Sequence, residues 1–203
     1  MKDTSAAPPD LAALTASRIC HDVASPLGAA INGLELLELA GAAPDGEEHR
    51  LIAQSVARAR ARLRHLQIAF GAAAPGQRIA HGEIRDLLRE LTGEARVQVD
   101  WQVAQDRERG EVRLAFLLQM CLESAMPRGG GIVVQAEGPR WTLTARPLSR
   151  RDPPPEWEAL TRMAPPERIT APMLHFAAAP AAARALGRTI RADLTEETIT
   201  LAF

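Results

Sequence analysis

Lysine is almost absent from this 203-residue chain: of its 24 basic residues only Lys2 is a lysine, and the rest are arginines. Chemistry that depends on a lysine is therefore close to excluded, whether a phosphate-binding loop lysine, a Schiff base or a kinase strand lysine. Tyrosine is missing altogether, which removes the phenolic acid or base, and aromatic residues make up only 3%. Asn32 is the sole asparagine. No apolar run approaches the ~18–20 residues of a membrane span, and the opening MKDTSAAPPD lacks the basic-then-apolar pattern of a signal peptide. Nor is there an excess of positive charge. A net charge of −1 argues against a dedicated nucleic-acid binder. The two cysteines, Cys20 and Cys121, have no metal or redox spacing and fit small buried thiols in a reduced, cytoplasmic protein.

What is abundant is alanine, at 38 positions, within a chain that is 46% hydrophobic and hence globular. Residues 1–9 read as a disordered lead, with Asp10 suited to cap a helix. From Leu11 to Ala40 an apolar stripe runs through Ala16, Cys20, Val23, Leu27, Ala30, Leu34 and Leu37. Gly41 to Gly46 breaks the chain. A second helix carries Ile52, Val56, Ala59, Leu63, Leu66 and Phe70 at steps of four, three, four, three and four. Such heptad spacing predicts two long antiparallel helices over residues 10–72. A lone hairpin cannot bury both stripes, and no second long pair follows. A four-helix bundle formed by two copies of the chain is the expectation.

After the linker Gly71 to Gly76 the pattern changes. Residues 77–203 mix helical stretches at Gly82–Leu91, Val112–Met126, Trp157–Met163 and Pro172–Leu186 with strands. The strands are expected at Val97–Val103, Ile132–Ala136, Trp141–Ala145, Thr189–Leu194 and Thr198–Phe203. This order predicts an α+β chain whose second domain is an α/β sandwich, helices on one face of a largely antiparallel sheet. Trp101, Trp141 and Trp157 are expected to pack on that sheet.

On a helical wheel centred on Val23, His21 falls roughly 160° away, on the solvent side. Ser25, Gly28, Asn32 and Glu35 continue its ridge, and Gly28 leaves room for a partner's backbone. An exposed imidazole is substantially neutral at physiological pH and so nucleophilic. Pro26 sits one turn on, where it leaves the Asp22 carbonyl without its helical donor at a cost of about 3 kcal/mol. Stability alone does not explain such a residue, although a lone exposed histidine and a packing kink would also satisfy the pattern. Cys20 lies near the apolar stripe and is expected in the core. His49, His65, His81 and His175 show no metal-ligand spacing. Arg58, Arg60, Arg62 and Arg64 scatter around the second helix and read as a solvated flank.

The run Ser17-Arg-Ile-Cys-His-Asp-Val-Ala-Ser-Pro-Leu27 resembles the H-box of bacterial sensor histidine kinases. Extended through Gly28-Ala-Ala-Ile-Asn-Gly-Leu-Glu-Leu-Leu37, and with Pro127-Arg-Gly-Gly130 after an apolar helix, it is similar to the ChpT-type histidine phosphotransferases of alphaproteobacterial phosphorelays. That resemblance implies a dimerising hairpin followed by a degenerate kinase-like ATPase domain. It also implies that His21 accepts a phosphoryl group from an aspartyl phosphate on one response-regulator receiver domain, such as that of a hybrid kinase, and passes it to another. Asp22 would orient the imidazole or assist proton transfer, unless it is an ordinary surface carboxylate. Ser25 would reach the transferring group. Arg18 suits an acidic receiver pocket, and Arg146, Arg150 and Arg151 offer a second docking contact or a solvated loop.

Departures from a kinase bear on cofactors. The paired asparagines that hold nucleotide and Mg²⁺ in a kinase are replaced by Met120 and Ser124. Arg146-Pro-Leu-Ser-Arg-Arg151 and Phe176-Ala-Ala-Ala-Pro180 stand where glycine-rich segments are expected. The chain is expected to bind no ATP and no metal, with Mg²⁺ supplied by the receiver. The competing reading is a non-catalytic kinase-like adaptor that binds receivers or a kinase.

Overall fold

The computed structural model describes residues 11–40, 46–93, 95–149 and 153–203. The expected lead, the Asp10 cap, most of the Gly41–Gly46 break, and Arg150 and Arg151 lie outside the described residues. Helix α1 spans Leu11–Ala40 with Pro26 inside it, and α2 spans Glu47–Phe70. Asp22 meets Arg62, and Gly33 lies against Ile52, so numbers rise along one helix as they fall along the other. The hairpin is antiparallel, as its heptads predict. A β-carbon on Gly33 would come within 2.6 Å of Ile52 Cγ1, so the absent side chain lets Ile52 of α2 pack directly on the α1 backbone. Gly28, by contrast, has open space where a side chain would project.

The second part of the chain begins with β1 (Arg78–Ile79), α3 (His81–Thr92), β2 (Val97–Trp101), β3 (Arg107–Glu108) and α4 (Arg109–Ser124). It continues through β4 (Gly130–Glu137), β5 (Arg140–Pro147), α5 (Glu158–Arg162), α6 (Leu174–Ala185), β6 (Arg191–Leu194) and β7 (Ile199–Ala202). Strands β1 and β3 form a small antiparallel pair, and the main sheet runs β2-β4-β5-β7-β6. Only β2 and β4 are parallel, and α4 makes the crossover that parallel pairing requires. Gly129 and Gly130 open β4 at positive φ, where β-carbons would strike the carbonyls of Arg96 and Arg146. Trp101 and Trp141 meet edge to face within this core, as expected, whereas Trp157 packs on Phe176 of α6.

The two parts share one core. Ala61, Leu66, Ile68 and Ala69 of α2 are buried in the same cluster as Leu114, Leu118 and Leu122 of α4 and Ile132 and Leu143 of the sheet. Arg109, at the start of α4, fastens the junction: its Nη2 donates to the Gln67 carbonyl at 2.8 Å and its Nε to that of Ala72 at 2.9 Å. Arg113 adds a bond to the Ala69 carbonyl. These guanidinium groups place positive charge at the negative end of α2, adding a second donor to the Gln67 carbonyl, which also accepts the Gly71 N–H. Gly71–Gly76 is thus an anchored corner.

This docking covers only part of the hairpin. Leu27, Ile31, Leu34 and Leu36 of α1 and Leu51 and Val56 of α2 remain between 49% and 58% exposed. It also rotates the buried face at the start of α1. Ile19 packs against the shared core, whereas Ala16 and Cys20 are exposed. The expectation of a buried Cys20 is corrected: the second part of the chain, packed on α1, claims the face that carries Arg18, Ile19 and Asp22.

Candidate functional site

His21 projects from α1 with 83% of its side chain exposed. Its Nδ1 lies 3.1 Å from Oδ1 of Asp22. A carboxylate can only accept, so Nδ1 carries the proton, and Nε2 is left with a lone pair toward solvent.

Asp22 is its neighbour in sequence and its opposite in environment, with a side chain only 7% exposed. Arg18 Nε donates to Asp22 Oδ2 at 2.7 Å, and Arg62 Nη2 donates to the same oxygen at 3.1 Å. Burial pushes the Asp22 pKa up, but the His21 hydrogen bond and the charges of Arg18 and Arg62 outweigh it and hold the carboxyl below its usual range. It is an ionised acceptor at neutral pH. Arg18 reaches further still, donating from Nη1 to the carbonyl of Pro172 in the 3-10 turn Ala171–Met173 that precedes α6.

That turn closes a cavity of 220 Å³ beside the imidazole, lined by Ser17, Arg18, His21, Asp22, Ala171 and Pro172. Beneath the site lie two further histidines. His65 is fully buried and stacks on Phe116 at 4.5 Å; burial, then the charges of Arg62 and Arg18, push its pKa down to about 3. His175 is pushed down to about 3 by burial and by Arg18. Neither ring nitrogen of either residue has a hydrogen-bond partner. Both are neutral packing groups; of the three imidazoles gathered here, His21 is the one open to a reactant.

The sequence-derived residues separate in space. His21, Asp22 and Arg18 come together. Ser25 and Asn32 are exposed farther along α1, with Gly28 between them. Arg146, paired with Gly131 across β4 and β5, is exposed but does not line the cavity. Arg18, expected to face a partner, is placed on Asp22 and Pro172 with only 13% of its side chain exposed. Arg62, read as part of a solvated flank, turns inward onto Asp22, and Arg64 pairs with Glu83 of α3. Ala171 and Pro172 gave no signal in the sequence. At the positions of the kinase asparagines, Met120 is buried and Ser124 donates back to the Cys121 carbonyl at 2.6 Å. Among the described residues, no three His, Cys, Asp or Glu side chains gather as a metal-ligand cluster.

A helical hairpin carrying an exposed, carboxylate-held histidine and backed by an α/β sandwich is a histidine-kinase-like architecture. The profile of the histidine phosphotransferase C-terminal domain matches residues 81–198, and the chain belongs to that family. Within it, the chain is 39% identical over 168 residues to the protein phosphotransferase ChpT of Brucella abortus (strain 2308), covering 80% of this chain and 79% of that protein. A solved bacterial phosphotransferase superposes with a TM-score of 0.77 at 33% identity, covering 98% of each chain. The chain is a ChpT-like histidine phosphotransferase, and its activity is phosphoryl relay in a two-component system.

Proposed function

We propose that His21 is the carrier, taking a phosphoryl group from an aspartyl phosphate on one receiver domain and delivering it to an aspartate on another. One observation carries this reading: an imidazole with 83% of its side chain exposed has its Nδ1 occupied by a buried carboxylate. Nε2 attacks phosphorus in line with the departing carboxylate oxygen, so that an N–P bond forms as the aspartyl P–O bond breaks. The proton stays on Nδ1. The ring becomes cationic as the bond forms, and the ionised Asp22 stabilises that charge. The reverse sequence discharges the group to the second receiver, and no proton need leave the site.

The donor is a phosphorylated receiver, such as that of a hybrid kinase, and Mg²⁺ arrives with the receiver. ATP is not a donor: the helix that would bind it presents a buried Met120 and a self-bonded Ser124. Ser25, Gly28, Asn32 and Arg146 form the exposed surface on which the receiver sits. The half-exposed apolar residues of the hairpin, Leu27, Ile31, Leu34, Leu51 and Val56 among them, pair with those of a second copy in a four-helix bundle. Among the described residues no helix is long and apolar enough to cross a membrane, which accords with relay between cytoplasmic receivers.

A pulse and chase tests the reading. Label should pass from a phosphorylated receiver to this chain, then to a second receiver added later, and none should enter from ATP with Mg²⁺. Tight binding of receivers with no label on this chain would identify an adaptor instead.

A further inference from the structure

The two arginine contacts to Asp22 fall on one oxygen. Arg18 Nε and Arg62 Nη2 both donate to Oδ2, and His21 Nδ1 is held by Oδ1. The carboxylate therefore cannot turn about its final bond without breaking both arginine contacts. The arginines come from different helices, α1 and α2, and Arg18 also donates to the Pro172 carbonyl. The held imidazole is the only freely exposed member of the group; Arg18 and Arg62 are 13% and 29% exposed.

We infer that Arg18 and Arg62 are positioning residues that clamp Asp22 Oδ2, leaving Oδ1 to fix the tautomer and direction of His21, and that the turn at Pro172 completes the clamp. Through the Pro172 carbonyl, the C-terminal part of the chain thereby helps to set the geometry of the carrier histidine. This rests on the assignment of His21 as carrier. The clamp explains why two arginines beside a phosphoryl-accepting site turn their guanidinium groups onto Asp22. It also gives the turn before α6 a role that its sequence, Ala-Pro-Met, does not advertise.

The test needs no receiver. Nitrogen-15 spectra of the full chain at pH 8, above the range of an ordinary imidazole, should show His21 as the Nδ1–H tautomer. Arg62→Gln and Arg18→Gln should shift it toward Nε2–H. Phosphoramidate, as a small phosphoryl donor, should label His21 on the order of ten-fold more slowly in both variants. Arg62→Lys keeps a cation near Oδ2 and should restore the tautomer and bring the rate within about three-fold of the parent. A parental tautomer in both glutamine variants would overturn the clamp. So would slower labelling with the tautomer unchanged, because the arginines would then act on the donor rather than through Asp22. Failure of the carrier assignment looks different: receivers would not label His21 although the tautomer responds as stated.

Discussion

Arg109 and Gln67, 42 positions apart, are joined by a bond of 2.8 Å from guanidinium Nη2 to backbone carbonyl. The contact ties the start of α4 to the last turn of the hairpin. Arg109 is buried, so removing its guanidinium strips the Ala72 carbonyl of its donor and leaves the Gln67 carbonyl with the Gly71 N–H alone. Arg109→Ala should lower unfolding stability by about 1–3 kcal/mol. Urea melts followed by tryptophan fluorescence, which reports the second part, and by far-UV circular dichroism measure this. Because the two parts share a core, the two probes should still give a single coincident transition.

The neutral histidines under the site make stability depend on acid. For His65 and His175 the folded pKa, about 3, lies below the unfolded value of 6.5. The unfolded chain therefore binds more protons as pH falls below that value, and stability drops with it. Between pH 7 and pH 5 each histidine should contribute a loss on the order of 2 kcal/mol. His65→Phe preserves a ring on Phe116 and should flatten the pH dependence, whereas the parent should lose stability steeply. Asp22 behaves oppositely. Its depressed pKa gives stability present above the usual carboxylate range and lost only as pH falls through its lowered folded value, so it contributes nothing to this window.

The hairpin glycines should respond differently to substitution. Gly33→Ala places a β-carbon against the branched side chain of Ile52 and should cost about 1–3 kcal/mol, with Ile52→Ala relieving part of the loss in a double-mutant cycle. Gly28→Ala meets no atom within 4 Å among the described residues and should stabilise the helix by about 0.5–1 kcal/mol. If a receiver backbone approaches Gly28, the same variant should accept phosphate more slowly from a receiver while phosphoramidate labels it as before. Equal rates with the receiver would remove Gly28 from the docking surface.

Much of this was legible from residue patterns. Heptads marked both long helices, and the ridge through His21 placed it outward. The triple glycine marked the end of α4. What the pattern concealed has physical causes. Arg62 sits in a series of arginines two apart, which successively point about 200° away from one another. Arg58 and Arg62 therefore share one face and Arg60 and Arg64 another, but which of the four turns inward depends on the helix register. Pro172 acts through a backbone carbonyl, and an acceptor of that kind leaves no side-chain signature. Cys20 is exposed although it lies near the apolar stripe, because that stripe describes a hairpin packed on itself and α1 also packs against the turn before α6.

The uncovered apolar surface yields a prediction on assembly. The chain should sediment as a dimer at micromolar concentration. Ile31→Glu combined with Leu34→Glu should give a monomer that keeps its helical circular dichroism, since both side chains are about half exposed in the single chain. A monomeric parent would show that the hairpin face serves some other contact.

The central claim is that one nitrogen on one residue carries the phosphoryl group. The most direct measurement labels the chain from a phosphorylated receiver, digests it with trypsin and fragments the peptide Ile19–Arg50. That peptide holds both His21 and His49, so fragmentation is needed to separate them. The account predicts phosphate on His21 alone and no uptake by His21→Ala. Phosphate on His49 or on a carboxylate, or undiminished labelling of the alanine variant, would contradict it.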